Sequence, residues 1–109
     1  MTKDEIRTIL KDAADRHGFT ANEREWSRWP VIQEKDSHFL NFTITEVMDP
    51  DTDWASRQVK AYVKVSASLA SMGGSPTPEE LLKAAETIRE GAELVQELQA
   101  MELSYTEIF

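Results

Sequence analysis

The sequence predicts an α+β fold in the order α-β-β-β-α, a three-stranded antiparallel sheet with two helices packed on one face. Three observations predict it. Apolar residues recur at steps of three and four behind capping signals near both ends of the chain, residues 57–69 alternate strictly, and turn formers cluster at 49–53 and 73–76. A length of 109 residues suits one core, so residues 1–109 are expected to form a single domain.

The first helix is expected over residues 3–17. Thr2 and Glu5 make a capping box, and Ile6, Ile9, Leu10, Ala13, Ala14 and His17 repeat at helical spacing. Gly18 suits the left-handed position that ends it, and Phe19 can fold back on the last turn. Thr20 and Glu23 offer a second capping box, so a loop or single helical turn is expected near 21–27. Pro30 forces Trp29 into extended geometry and removes a ladder donor, which places residues 29–34 on an edge strand.

Lys35, Asp36 and Ser37 read as a hairpin loop, followed by a strand from His38 to Met48 with Leu40, Phe42 and Ile44 on one face. A turn at 49–53 leads to the third strand, where Val59, Ala61, Val63, Val65, Ala67 and Leu69 face one way. After Gly73–Pro76, Thr77, Pro78 and Glu80 fall in register as N-cap, first-turn proline and capping-box glutamate. The last helix is expected from 78 to about 102, burying Leu81, Ala85, Ile88, Ala92, Val95 and Leu98. Its interior Gly91 costs about 1 kcal/mol against alanine, which implies a close contact at that point.

This element order resembles that of the double-stranded-RNA-binding domain, in topology alone. That family carries a lysine cluster at the start of its last helix, where this chain reads Thr77, Pro78, Glu79, Glu80. The resemblance therefore does not extend to RNA binding.

The net charge of -8 opposes contact with nucleic acid or anionic membranes and favours a basic protein partner. Residues 77–109 hold eight acidic residues against Lys83 and Arg89. There is no cysteine, no leader-like apolar run and no stretch of the roughly 18 apolar residues a membrane span needs, so a cytoplasmic location is expected.

Catalytic and metal chemistry find little support. Asp49, Asp51 and Asp53 match the start of a calcium loop, but the sixth and twelfth positions hold Trp54 and Lys60 in place of glycine and glutamate. His17 and His38 are the only residues suited to acid-base work near neutrality. His17 fits a helix C-terminus without any function, and His38 next to Ser37 has no nucleophile-elbow context. The Asn41–Thr43 glycosylation motif matters only in a secreted chain. Gly73 and Gly74 lack the lysine of a phosphate loop. No catalytic residue, metal site or cofactor is expected.

The candidate partner-binding residues are Glu79, Glu86, Glu90, Glu93 and Glu97, an acidic ridge on the last helix, with Trp26 and Trp29 as contact anchors. Steps of three and four place neighbouring carboxylates roughly 5–6 Å apart along the axis, in the general range of phosphate spacing. The expected function is a non-enzymatic inhibitor that mimics nucleic acid before a basic protein, as anti-CRISPR, anti-restriction and nuclease-immunity proteins do. The alternative is a structural or assembly protein that oligomerises through its long last helix. A homodimer is expected through the apolar surplus of Leu94, Leu98, Met101, Leu103, Tyr105, Ile108 and Phe109.

Overall fold

The computed structural model describes residues 1–35, 39–70 and 73–108. Its elements are α1 (Lys3–Arg16), β1 (Phe19–Asn22), β2 (Val31–Glu34), β3 (Leu40–Met48), β4 (Gln58–Leu69), α2 (Pro78–Ala100) and β5 (Ser104–Ile108). The fold is α+β, with a two-stranded sheet β1-β2 and a three-stranded sheet ordered β3-β4-β5, every pairing antiparallel.

Both helices start as the sequence dictates. The Thr2 hydroxyl accepts from Glu5 N–H at 3.1 Å, and the Thr77 hydroxyl accepts from Glu80 N–H at 3.2 Å. Each satisfies an amide that the helix itself cannot. His17 ends α1, and Gly18 follows at φ +81°, the left-handed geometry that glycine takes without strain.

The single sheet expected from the sequence is corrected in two places. Phe19–Asn22 is a strand, pairing Phe19 with Glu34 and Asn22 with Val31, so the loop or turn expected near 21–27 begins only at residue 23 and β2 belongs to a small separate sheet. Phe19 is buried against the core, which outweighs the local capping signal of Thr20 and Glu23. The third member of the larger sheet is the C-terminal β5, which pairs Tyr105 with Ala61 and Ser104 with Tyr62. Leu103, Tyr105 and Glu107 alternate with Ser104, Thr106 and Ile108, a strand period that continues directly from the end of α2. His38, placed by the sequence at a strand start, lies outside the described residues, as does Phe109.

The core gathers Ile6, Leu10, Ala13 and Ala14 of α1, Val63 and Val65 of β4, Leu94 and Leu98 of α2, and Leu103 and Tyr105 of the C-terminal segment. The tail thus covers apolar residues of its own chain: of the surplus read from the sequence, Leu94, Leu98, Leu103 and Tyr105 are buried, while Met101 and Ile108 are exposed.

The buried face of α2 is also corrected. It runs through Ala84, Gly91, Leu94 and Leu98, whereas Leu81, Ala85 and Ala92 are exposed and Ile88 and Val95 half-buried. The helix is turned by roughly 80° from the expected phase, at 100° per residue. Gly91 explains the turn. A Cβ there would collide with Leu40 Cδ1 and stand 3.5 Å from Phe42 and 3.7 Å from Phe19, so these side chains reach the helix backbone itself at this point.

Replacing Gly91 with valine is expected to lower stability by about 1–3 kcal/mol through overpacking against these side chains. The loss should shrink in a Leu40→Ala background, because the nearest obstacle is then gone. Urea midpoints of the two single variants and the double variant check this, and strict additivity would contradict the contact.

Candidate functional site

The rotation of α2 divides its carboxylates into two groups. Glu90 and Glu97 point toward the end of α1. The two ring nitrogens of His17 face them, Nδ1 at 3.4 Å from Glu90 Oε2 and Nε2 at 3.2 Å from Glu97 Oε2, and Arg16 donates to Glu97 Oε1. Their side chains retain only 33% and 28% exposure. Glu79, Glu86 and Glu93 stand instead on the exposed flank. Their seven-residue steps put them about 10.5 Å apart along the axis, a wider spacing than the unbroken ridge read from the sequence.

Arg89 lies among these carboxylates. It donates to Glu93 at 2.8 Å, to Glu90 at 3.1 Å and to Glu86. Around the α1–α2 contact, four carboxylates therefore face two guanidiniums and one imidazole. Ligand atoms of His17, Glu90 and Glu93 lie within 4.8 Å of one another, close enough to hold a metal ion. Arg89 brings positive charge to both of those glutamates and so offsets part of the charge that would attract an ion. The role of His17 as a bridge between helices was not legible in the sequence, because no local pattern pairs residue 17 with residues 90 and 97. The Arg89 pairs were legible, being one, three and four residues apart on one helix.

The two tryptophans assigned to a contact patch separate. Trp26 is 81% exposed, while Trp29 is 6% exposed and belongs to the core. Its indole N–H donates to Glu46 Oε1 at 2.9 Å, its ring lies 6.0 Å from that of Tyr105, and the Arg7 guanidinium sits 5.7 Å from its centroid. Arg28 donates to both Glu46 oxygens, at 3.1 and 2.9 Å, and to the Tyr105 hydroxyl at 3.3 Å. Burial, followed by Glu46, raises the Tyr105 phenol above its ordinary pKa. Trp29 thus holds the segment before β2 onto β3 and β5 as part of the core.

The aspartate-rich turn is closed by its own backbone. Asp49 accepts from Asp51 N–H at 2.8 Å and from the Tyr62 hydroxyl at 3.1 Å, and Asp53 accepts from Ala55 N–H at 3.1 Å. Bonds from Ser56 hold the Asp53 carboxyl below its ordinary range. An open groove of about 680 Å³ lies between Val47, Met48 and Tyr62 of the sheet and Gln99 and Glu102 at the end of α2. Its residues do not form a nucleophile and base pair of the kind acyl or glycosyl transfer needs. Among the described residues, no helix is long and apolar enough to cross a membrane.

The Arg16 hydrogen bond, with a smaller contribution from His17, holds the Glu97 carboxyl below its ordinary 4.5. The folded chain therefore binds that proton more weakly than the unfolded chain, and the resulting stability is complete above the ordinary value and lost as pH falls through the lower folded one. Thermal melts at a series of pH values below 4.5 should show a shallower acid loss for Glu97→Gln than for the wild type. Parallel slopes would show that the α1–α2 pair contributes nothing.

Comparison with known protein families, with characterised proteins and with solved structures finds no match for this chain.

Proposed function

We propose that this chain is a non-enzymatic binding protein whose acidic α2 flank engages a basic protein. The supporting observation is the position of Glu79, Glu86 and Glu93 on the exposed side of α2, with Arg89 as the counter-charge held among them. The side chains that sequence reasoning offered for catalysis are either committed to structural contacts, as His17 is, or lie outside the described residues, as His38 does. A basic groove of the kind found on nucleic-acid-handling proteins is the partner class that fits the charge, and inhibition by occupying such a groove is the activity proposed. The assembly alternative is less favoured because four of the residues that motivated it, Leu94, Leu98, Leu103 and Tyr105, are buried within the chain, although Met101 and Ile108 stay exposed.

Attraction of this kind is screened by salt and steers encounter more than it adds bulk affinity. Captured partners should therefore wash off as ionic strength rises from about 0.1 M to 1 M. Reversing Glu79, Glu86 and Glu93 to lysine should abolish capture while costing up to about 1 kcal/mol of stability per site, because Glu86 and Glu93 lose their pairs with Arg89 and Glu79 its place in the first turn. Reversing Lys60 and Lys64 on β4 should leave capture unchanged. Retention of the same partners by the triple variant would refute the acidic flank. The wild-type chain is also expected not to bind duplex DNA or RNA in about 0.15 M salt, as fluorescence anisotropy would show.

A further inference from the structure

The face of α2 turned to solvent carries more than charge. Leu81 is 51% exposed and Leu82 72% exposed, and Ala85 and Ala92 are exposed beside them. At 100° per residue, Leu81, Ala92 and Ala85 share one line, Leu82 lies farther round, and Glu93, Glu86 and Glu79 follow in the same sense. Along the apolar line the steps of four, three, four and three from Leu81 to Val95 form a heptad seam, the pattern by which one helix receives another. Val95 at the far end packs against the core and Ile88 is half-buried, while Leu81, Ala85 and Ala92 of the seam, with Leu82 beside them, stay exposed among the described residues.

We infer that the seam receives a basic amphipathic helix of the partner, an inference that rests on the acidic-flank reading above. Apolar residues of the incoming helix pack on Leu81, Leu82, Ala85 and Ala92, and the small alanines allow close approach. Its lysines or arginines fall on the side of Glu79, Glu86 and Glu93. Charge selects this occupant over a second copy of the chain, which would bring a further -8 and the same row of glutamates to the contact. Arg89 stands between the two rows and occupies Glu86 and Glu93 in the free protein, so the incoming basic groups displace it.

The test uses the full chain and three synthetic peptides of about 18 residues, long enough for five helical turns. One is a leucine–lysine amphipathic helix, one a scramble of the same composition without helical periodicity, and one its leucine–glutamate counterpart. The amphipathic basic peptide should bind and gain helicity, with amide shifts centred on residues 81–92. The acidic peptide should not bind, and the scramble should bind at least tenfold more weakly. Leu81→Ser with Leu82→Ser, both exposed and remote from the core, should weaken the amphipathic peptide about tenfold and leave the scramble unchanged. Arg89→Gln should strengthen it several-fold by freeing Glu86 and Glu93. Equal binding of the scramble and the amphipathic peptide would overturn the helix inference while the acidic-flank reading stands. Absence of binding by either basic peptide would overturn the inference, and loss of salt-sensitive capture by the native chain would separately decide the acidic-flank reading. Concentration-dependent dimerisation abolished by the leucine variants would assign the seam to a second copy and also overturn the inference.

Discussion

The close seating of α2 at Gly91 governs what the rest of the molecule presents. With no side chain at that position, the helix lies against Leu40, Phe42 and Phe19, and this contact sets its rotation. Rotation then decides which side chains enter the core, which glutamates meet α1 and which face solvent. Ala84 and Leu98, seven residues to either side, continue the same buried line, so small residues at the first two positions bring the helix near the sheet and leucine closes the far end.

Much of the fold was legible because its signals are local. Thr2 with Glu5, Thr77 with Glu80, and Gly18 each act within one turn of chain, and each does in the structure what its chemistry requires. The alternation of β4 was equally direct through Val65. The phase of α2 was harder to read because the helix has two apolar lines, one through Leu81, Ala85 and Ala92 and another through Ala84, Gly91 and Leu94. The first is richer in large apolar residues at its start, yet backbone proximity at a glycine outweighed side-chain hydrophobicity. β1 was hidden by its shortness and by the competing capping signal of Thr20 and Glu23, and β5 by a partner that lies beyond α2. Of the candidate site, the acidity of α2 was visible in composition, but its division into an inner and an outer group depends on helix rotation.

Several charged residues that would pass for solubilising decoration are structural ties. Glu34, 7% exposed, accepts from Phe39 N–H at 3.0 Å and from Leu40 N–H, joining the small sheet to the start of β3. Glu46 binds Arg28 and Trp29 together, and Lys3 reaches Glu107 at 2.8 Å, joining the first turn of α1 to the last strand. The Lys3–Glu107 tie joins the two ends of the chain, whereas the Glu34 bonds span a single connection. Of these, the partly exposed ion pairs Lys3–Glu107 and Arg28–Glu46 contribute about 0–1 kcal/mol apiece.

The place of β5 has a consequence for how the chain reaches its native state. Its partner β4 is separated from it by the whole of α2, so the β4–β5 ladder is a non-local pairing whose loop-closure entropy must be met before its hydrogen bonds form. Until β5 docks, residues 58–62 of β4 expose one row of unpaired backbone groups to any extended segment nearby. Lys60 and Lys64 project from the opposite face to the core, where charge deters strand addition between molecules. Two of the twelve basic residues of this acidic protein thus stand on the strand whose last pairing partner lies beyond α2.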